Sequence, residues 1–147
     1  MKFVFILLLV LLASYFAGQQ LRPGGFSNKE EIYISSNCDP SISVCKVNAG
    51  PYNYRIKFAE QPSALKSFKV QLKIKDPQPQ AVLLVFDMQG MDMGYSEFPM
   101  RYGSALWQAR VILPVCSLGR NDWRLKVKLV SEKTVYETAF NFRQVKL

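Results

Sequence analysis

Apolar and polar residues alternate along much of the chain after residue 50. In segment 52–58, aromatic and aliphatic residues alternate with Asn, Arg and Lys, and segments 67–75, 124–129 and 136–142 follow similar patterns. A period of two is typical of strands that bury one face. The pattern therefore predicts β-strands, and no segment of the chain makes a convincing amphipathic helix.

Three further segments add to the predicted strands. Segment 31–36 alternates, segment 81–88 is almost continuously apolar, and segment 106–113 ends at Pro114. A continuous apolar run is expected of a strand buried on both faces or near the centre of a sheet. Seven or eight short strands predict an all-β fold, an immunoglobulin-like antiparallel β-sandwich.

The N-terminus carries an export pattern, with Lys2 preceding the apolar run 3–16. Cleavage after Ala17 would place bulky Tyr15 at the −3 position, which is a poor cleavage site. An uncut helix over 3–18 would span about 24 Å, and local thinning would adapt a bilayer core of about 30 Å to it. Residues 1–18 are therefore either a signal peptide or one N-terminal hydrophobic helix that anchors the protein in the membrane.

The remaining organisation is simple. Residues 19–29, which include Arg22-Pro23-Gly24-Gly25, predict a spacer, and residues 30–147 form the predicted sandwich domain. Cys38 and Cys45 flank a turn rich in Pro and Ser, which in an exported domain predicts a disulfide. Closing this loop would contribute about 2.5 kcal/mol. A pairing that involves Cys116 stays open, and one thiol is left over in either case.

Histidine is absent from the sequence. This removes the usual general base at neutral pH, the Ser-His-Asp and Cys-His catalytic arrangements, and the commonest metal ligand. Three cysteines are also too few for a four-cysteine zinc site. We therefore predict no catalytic residues and a protein that is not an enzyme.

The formal charge of +8 is concentrated in part on two predicted strands. Their basic residues are Lys69, Lys73 and Lys75 on one strand and Arg124, Lys126 and Lys128 on the other. Such faces either hold an anionic membrane or an acidic partner, or are solvated surfaces whose lysines discourage edge pairing. Aromatic residues do not interleave with these bases, which argues against nucleic-acid binding.

Four of the five methionines fall between Met88 and Met100. Thioethers are soft ligands that select Cu(I), and Gly90 and Gly94 allow a tight reversal around Met91-Asp92-Met93. We therefore predict a Cu(I) site formed by Met88, Met91, Met93 and Cys116. The alternative is that the methionines fill gaps in the core, with Met88 and Met93 buried and Met91 and Met100 partly exposed.

Two stretches carry a resemblance to small exported bacterial proteins of unassigned function. They are Met91-Asp92-Met93-Gly94-Tyr95 and Leu113-Pro114-Val115-Cys116, the latter followed by Gly119-Arg120 and Trp123. The chain is more distantly similar to the FixH/YtkA-like β-sandwich family, whose members carry Met-containing turns and are linked to copper-oxidase assembly. The closer resemblance covers roughly residues 38–130, with Ser96 where the group has Asn.

Together these features predict an exported, membrane-anchored accessory protein that binds Cu(I) through its Met-rich loop. The resemblance implies a bacterial protein of the inner membrane facing the periplasm, or a soluble periplasmic one if the signal is cleaved. It also implies a role in respiratory-oxidase assembly or copper handling, with an envelope or respiratory-complex protein as partner. The alternative is a metal-free envelope module for protein–protein interaction.

Overall fold

The computed structural model describes residues 29–91 and 96–145. The predicted signal or anchor, nearly all of the spacer, and Met93 lie outside these ranges. Within them no helix is long and apolar enough to cross a membrane. The described residues form ten strands: β1 (Glu30–Ser35), β2 (Cys45–Ala49), β3 (Tyr52–Phe58), β4 (Ser67–Ile74), β5 (Ala81–Asp87), β6 (Glu97–Pro99), β7 (Arg101–Gly103), β8 (Leu106–Ile112), β9 (Asp122–Val130) and β10 (Thr134–Arg143).

The strands form two five-stranded sheets. The first sheet has the order β1-β10-β9-β5-β6, and the second sheet has the order β2-β3-β4-β8-β7. All neighbouring strands are antiparallel except β1 and β10, which are parallel. The all-β prediction is therefore confirmed.

Aromatic side chains join the two sheets in the core. Phe58 of β3 meets Phe142 of β10 edge-on with ring centroids 5.1 Å apart, and Phe68 of β4 meets Phe86 of β5 at 6.3 Å. Edge-to-face contacts at such distances are favourable beyond the area they bury. The strand patterns place these rings inward because more and less buried positions alternate along β3, β4 and β5.

The strand count differs from the expected seven or eight. β6 and β7 have three residues each, which is too short for an alternating pattern to be recognised. β2 begins at Cys45 itself and was not recognised because it adjoins the turn-rich segment between the two cysteines. β5 is an interior strand, as its apolar run predicts, but only its inner face is fully buried because only that face of the sheet packs against the second sheet.

The cysteines pair as the turn between them predicts. Cys38 and Cys45 form a disulfide across the loop that precedes β2. Cys116, in the connection from β8 to β9, is a free thiol and is buried. The alternative pairing with Cys116 is therefore wrong. The Cys116 thiol is the cysteine sulfur that remains outside a disulfide.

Candidate metal centre

A tight turn follows β5 and returns the chain on itself. Met88 comes directly after the strand, and the Met91 N–H donates to the Met88 carbonyl at 3.1 Å. Gly90 has a φ of +77°, in the left-handed region where a side chain would be strained. The turn thus places Met91 beside Met88, and the two residues form an isolated β-bridge.

A second turn holds Cys116 at the same end of the sandwich. The Gly119 N–H donates to the Cys116 carbonyl at 2.9 Å, and Gly119 also has a positive φ, +69°. The Cys116 thiol donates to the Met91 Sδ, with the two sulfurs 3.6 Å apart. Cys116 is 4% exposed and Met88 is 2% exposed. A thiol and a thioether from distant segments therefore meet at the margin of the core.

Arg120 ties the two turns together. Its Nη1 donates to the Gln89 carbonyl at 3.0 Å, and its Nε donates to the Asp122 Oδ1 at 2.9 Å. A second hydrogen bond joins the Arg120 Nη2 to the Asp122 Oδ2. Since Gln89 belongs to the Met88–Met91 turn, the guanidinium holds that turn against the segment that carries Cys116.

The same ion pair sets the charges beside the two sulfurs. The hydrogen bond from Arg120 is the main cause that lowers the pKa of Asp122 to about 2. In return the hydrogen bond to Asp122 raises the pKa of Arg120 above its usual value. Both groups stay charged at neutral pH, so the link between the two turns is a charge-assisted one.

The base of the Met-rich loop is also fixed. The Phe86 N–H donates to the Ser96 carbonyl at 3.0 Å, and the Ser96 hydroxyl donates to the Phe86 carbonyl. The Phe98 ring packs edge-on against Phe86 at 5.8 Å. Residues 92–95 are thereby bracketed by two anchored ends, Met91 and Ser96.

Met100 is placed away from this site. Its N–H donates to the Val82 carbonyl at 2.9 Å, at the opposite end of β5 from Met88. Six residues of strand separate Val82 from Met88, or about 20 Å. Met100 is also 6% exposed, so the expectation that it is partly exposed is wrong: it packs in the core.

The structure thus brings together Met91 and Cys116, with Met88 in the same turn, while Met93 falls outside the described residues. In residues 29–91 and 96–145, no three His, Cys, Asp or Glu side chains gather as a metal site would require. Any metal held here would therefore depend on thioether sulfur. The sequence reasoning did not assign a role to Arg120, although the Gly119-Arg120 pair was part of the resemblance.

An open cleft of about 660 Å³ lies beside the Met88–Met91 turn. Gln89 lines it from the turn, and residues of the disulfide loop, β9 and β10 complete the walls. Charged groups of both signs, including Asp39, Arg124 and Arg143, face it. The cleft opens at this end of the sandwich.

Comparison with known protein families, with curated proteins and with solved structures finds no match for the chain. The contact between Met91 and Cys116, and the turns that carry them, are therefore the features of the described residues that bear on function.

Proposed function

We propose that the chain is an exported, non-enzymatic accessory protein that binds Cu(I) through Met91 and Cys116, with Met88 and Met93 as the further sulfur ligands. The observation that carries the proposal is the 3.6 Å contact between the Met91 and Cys116 sulfurs. Two soft donors at this separation need only a small adjustment to share one ion. Thiolate and thioether are soft ligands that suit Cu(I), and the thioethers favour it over harder ions.

The environment of the sulfurs supports reversible binding of a soft ion. Cys116 and Met88 are buried, and the apolar shell limits the access of water to the site. The other two cysteines are consumed by the Cys38–Cys45 disulfide. Cys116 is therefore the cysteine sulfur that can serve as a ligand.

The wider role rests on the sequence. Residues 1–18 anchor the protein in the bacterial inner membrane, or direct it to the periplasm and are removed. The likeness to FixH/YtkA-like proteins points to copper handling or respiratory-oxidase assembly, with a respiratory-complex or envelope protein as the recipient. The cleft lined by Gln89 lies beside the Met88–Met91 turn and offers such a partner a place to dock.

The sandwich belongs, in this proposal, to the immunoglobulin-like type. Two features favour it: β5, β9 and β10 share one sheet, and β4 and β8 are neighbours in the other. The chain therefore crosses between sheets from β4 to β5 and again from β8 to β9. Such crossings between sheets of antiparallel strands are the arrangement of immunoglobulin-like sandwiches.

A second candidate is the metal-free envelope module. It is favoured by the burial of Met88 and Met100, since both side chains pack in the core as gap-fillers would. In that case the contact between Met91 and Cys116 is ordinary sulfur packing. The two candidates differ in whether Cu(I) binds at all.

A competition titration separates them. The full chain, with Cys116 kept reduced, is titrated anaerobically with Cu(I) against a chromophoric chelator. We expect the Met91→Leu/Met93→Leu double variant and Cys116→Ser each to lose at least about tenfold in affinity, while Met100→Leu is unchanged because it lies at the far end of β5. A wild-type affinity no greater than that of the double variant would reject the copper proposal.

A further inference from the structure

Charge is divided unequally between the two sheets. The strands of the second sheet contain no Asp or Glu, and their basic residues are Lys46, Arg55, Lys57, Lys69, Lys73, Arg101 and Arg110. The strands of the first sheet contain six carboxylates against four bases. The sandwich is therefore strongly positive on one side only.

The bases of the second sheet share its outer face. Cross-strand pairing puts Lys46 beside Arg55, and Arg55 beside Lys73. Farther across the sheet, Lys69 lies beside Arg110. Apart from Arg101, whose short strand is exposed throughout, each base has a buried or half-buried neighbour on either side along its strand. Arg101 pairs with Gln108, which is on the same face as Arg110. The bases form one continuous surface, here called the basic face.

Lysines on the first sheet are neutralised, whereas those of the basic face are not. Lys126 pairs with Asp87 at 2.6 Å, and Lys128 lies 3.3 Å from Glu137 and 4.0 Å from Glu31. Among residues 29–91 and 96–145, no salt bridge involves a base of the basic face. Of the two basic strands that the sequence indicates, β9 has both of its lysines in salt bridges, whereas the lysines of β4 are in none of the salt bridges of the described residues.

The basic face also contains a concave site suited to anions. Lys46, Arg55, Lys73 and Lys75 line an open depression of about 740 Å³, together with Asn48 and Asn53. Ammonium, guanidinium and amide N–H groups are the donors that phosphate oxygens accept best. A phosphate placed in the depression would meet four cationic side chains.

We propose that the basic face docks onto an anionic phospholipid bilayer. A lipid surface fits better than a protein because the outward positions of β2, β3 and β4 are lysine, arginine, Asn, Gln and Ser only. The exposed Tyr102 lies on the edge strand β7, and Leu106 lies at the start of β8. Protein interfaces centre on aromatic and apolar anchors. The exposed Ile112 lies toward the end of β8, beyond Arg110, and is not at the centre of the face.

The proposed membrane anchor lies close in sequence to the sandwich, which would keep the bilayer near the basic face. The apolar run 3–16 is separated from Lys29 by only twelve residues, 17–28. Fully extended, these residues span at most about 40 Å. The two sheets of a sandwich are only about 10 Å apart, so a linker of this length lets either sheet reach the lipid. This step rests on the membrane anchoring proposed above and not on copper binding. Anchoring makes docking effectively intramolecular, so modest attraction is sufficient.

The expected strength follows from the number of free bases. Each base near an anionic lipid surface strengthens association by about fivefold at ordinary ionic strength. The attraction acts over about 10 Å at 0.1 M salt and about 3 Å at 1 M. Docking should therefore appear at low salt and disappear at high salt.

Lysine footprinting of the full chain tests the proposal with a control inside the same molecule. The protein is reconstituted in nanodiscs of phosphatidylcholine, with or without phosphatidylglycerol, and treated with a water-soluble acetylating reagent. Mass spectrometry follows Lys46, Lys57 and Lys73 on the basic face. It also follows Lys133, which is exposed in the turn between β9 and β10 of the first sheet.

We expect phosphatidylglycerol to lower acetylation of the three basic-face lysines by at least about fivefold at 0.1 M salt, with recovery at about 1 M. Lys133 should not change. The Arg55→Gln/Lys73→Gln variant should lose most of the protection at Lys46, while Lys133→Gln should keep it. Copper affinity is measured on the same samples, so failure here is distinct from failure of the copper site.

Four outcomes would overturn the proposal. Equal acetylation of the basic-face lysines in both kinds of disc would mean that no docking occurs. Protection of Lys133 equal to that of the basic-face lysines would mean that the lipid charge slows acetylation generally, without contact at the basic face. Protection by glycerol phosphate alone would indicate a site for small anions. Protection that increases with protein concentration in phosphatidylcholine discs would indicate that the basic face binds the acidic first sheet of a second copy of the chain.

Discussion

The Cys116 Sγ and the Met91 Sδ lie 3.6 Å apart, although 25 positions separate the two residues in the chain. Each sulfur is carried by a tight turn whose glycine adopts a positive φ, Gly90 in one and Gly119 in the other. Arg120 holds the turns together through the Gln89 carbonyl. The contact is thus built by two connections outside the regular strands, and it depends on their backbone geometry.

Replacing Arg120 tests whether this residue positions the sulfurs. In Arg120→Gln, we expect the pKa of Asp122 to rise from about 2 toward its usual value of 3.8, because the hydrogen bond that lowers it is lost. We also expect weaker Cu(I) binding, since the Met88–Met91 turn loses an anchor. Carboxyl NMR titration and chelator competition measure the two effects.

Arg124→Gln is the matched control, because Arg124 reaches only the side chain of Gln89 and does not shift Asp122. If Arg120→Gln lowers Cu(I) affinity no more than Arg124→Gln does, Arg120 has no positioning role.

The lowered pKa of Asp122 also has a defined effect on stability. Since the folded state favours the ionised carboxylate, the free energy of unfolding should rise with pH between about 2 and 3.8. The contribution is complete above that window and is lost as the pH falls through about 2. Urea denaturation across this range should show a slope in the wild type that is reduced in Asp122→Asn. Identical slopes would contradict the assignment.

The disulfide should account for a measurable share of stability. Cys38→Ala/Cys45→Ala opens the loop before β2 and should lower the free energy of unfolding by about 2.5 kcal/mol. Chemical denaturation is measured for the variant, for the oxidised wild type and for the wild type under reducing conditions. The reduced wild type should lose a similar amount of unfolding free energy to the variant. A loss well below 1 kcal/mol in both would mean that the loop is already ordered without the bond.

The two sheets should respond differently to removal of a lysine. Lys126→Gln leaves the half-buried Asp87 carboxylate without its ion pair, and the Oδ1 of Asp87 is already buried without a hydrogen-bond partner. We expect a loss of about 1 kcal/mol in the free energy of unfolding. Lys73→Gln on the basic face should change it by less than about 0.5 kcal/mol. Equal losses in denaturation midpoints would contradict the difference in pairing.

Much of the fold was readable from the chain because its strands are amphipathic. The alternation in β3 and β4 marks both the strands and their buried faces, and the Pro/Ser turn marks the Cys38–Cys45 bond. The short β6 and β7 were missed because three residues carry no period. They are strands because they pair with β5 and β8, and a local sequence pattern does not predict such pairing.

The positions of the candidate-site residues were predictable only in part. The lack of histidine and the spacing of the methionines predict soft ligands, and that stays a prediction. That Met100 lies at the far end of β5, away from Met88, depends on the register between β5 and β6. Arg120 holds the two turns together through its hydrogen bond to the Gln89 carbonyl, 31 positions earlier in the chain. The sequence offers no signal of this contact beyond the Gly119-Arg120 pair.

The most direct test of the central claim is X-ray absorption at the copper edge of the full chain loaded with one equivalent of Cu(I). We predict a first shell made only of sulfur, with fewer sulfur neighbours in Cys116→Ser and in Met91→Leu and no change in Met100→Leu. A first shell dominated by oxygen or nitrogen, or one that these substitutions leave unaltered, would contradict a copper site at Met91 and Cys116.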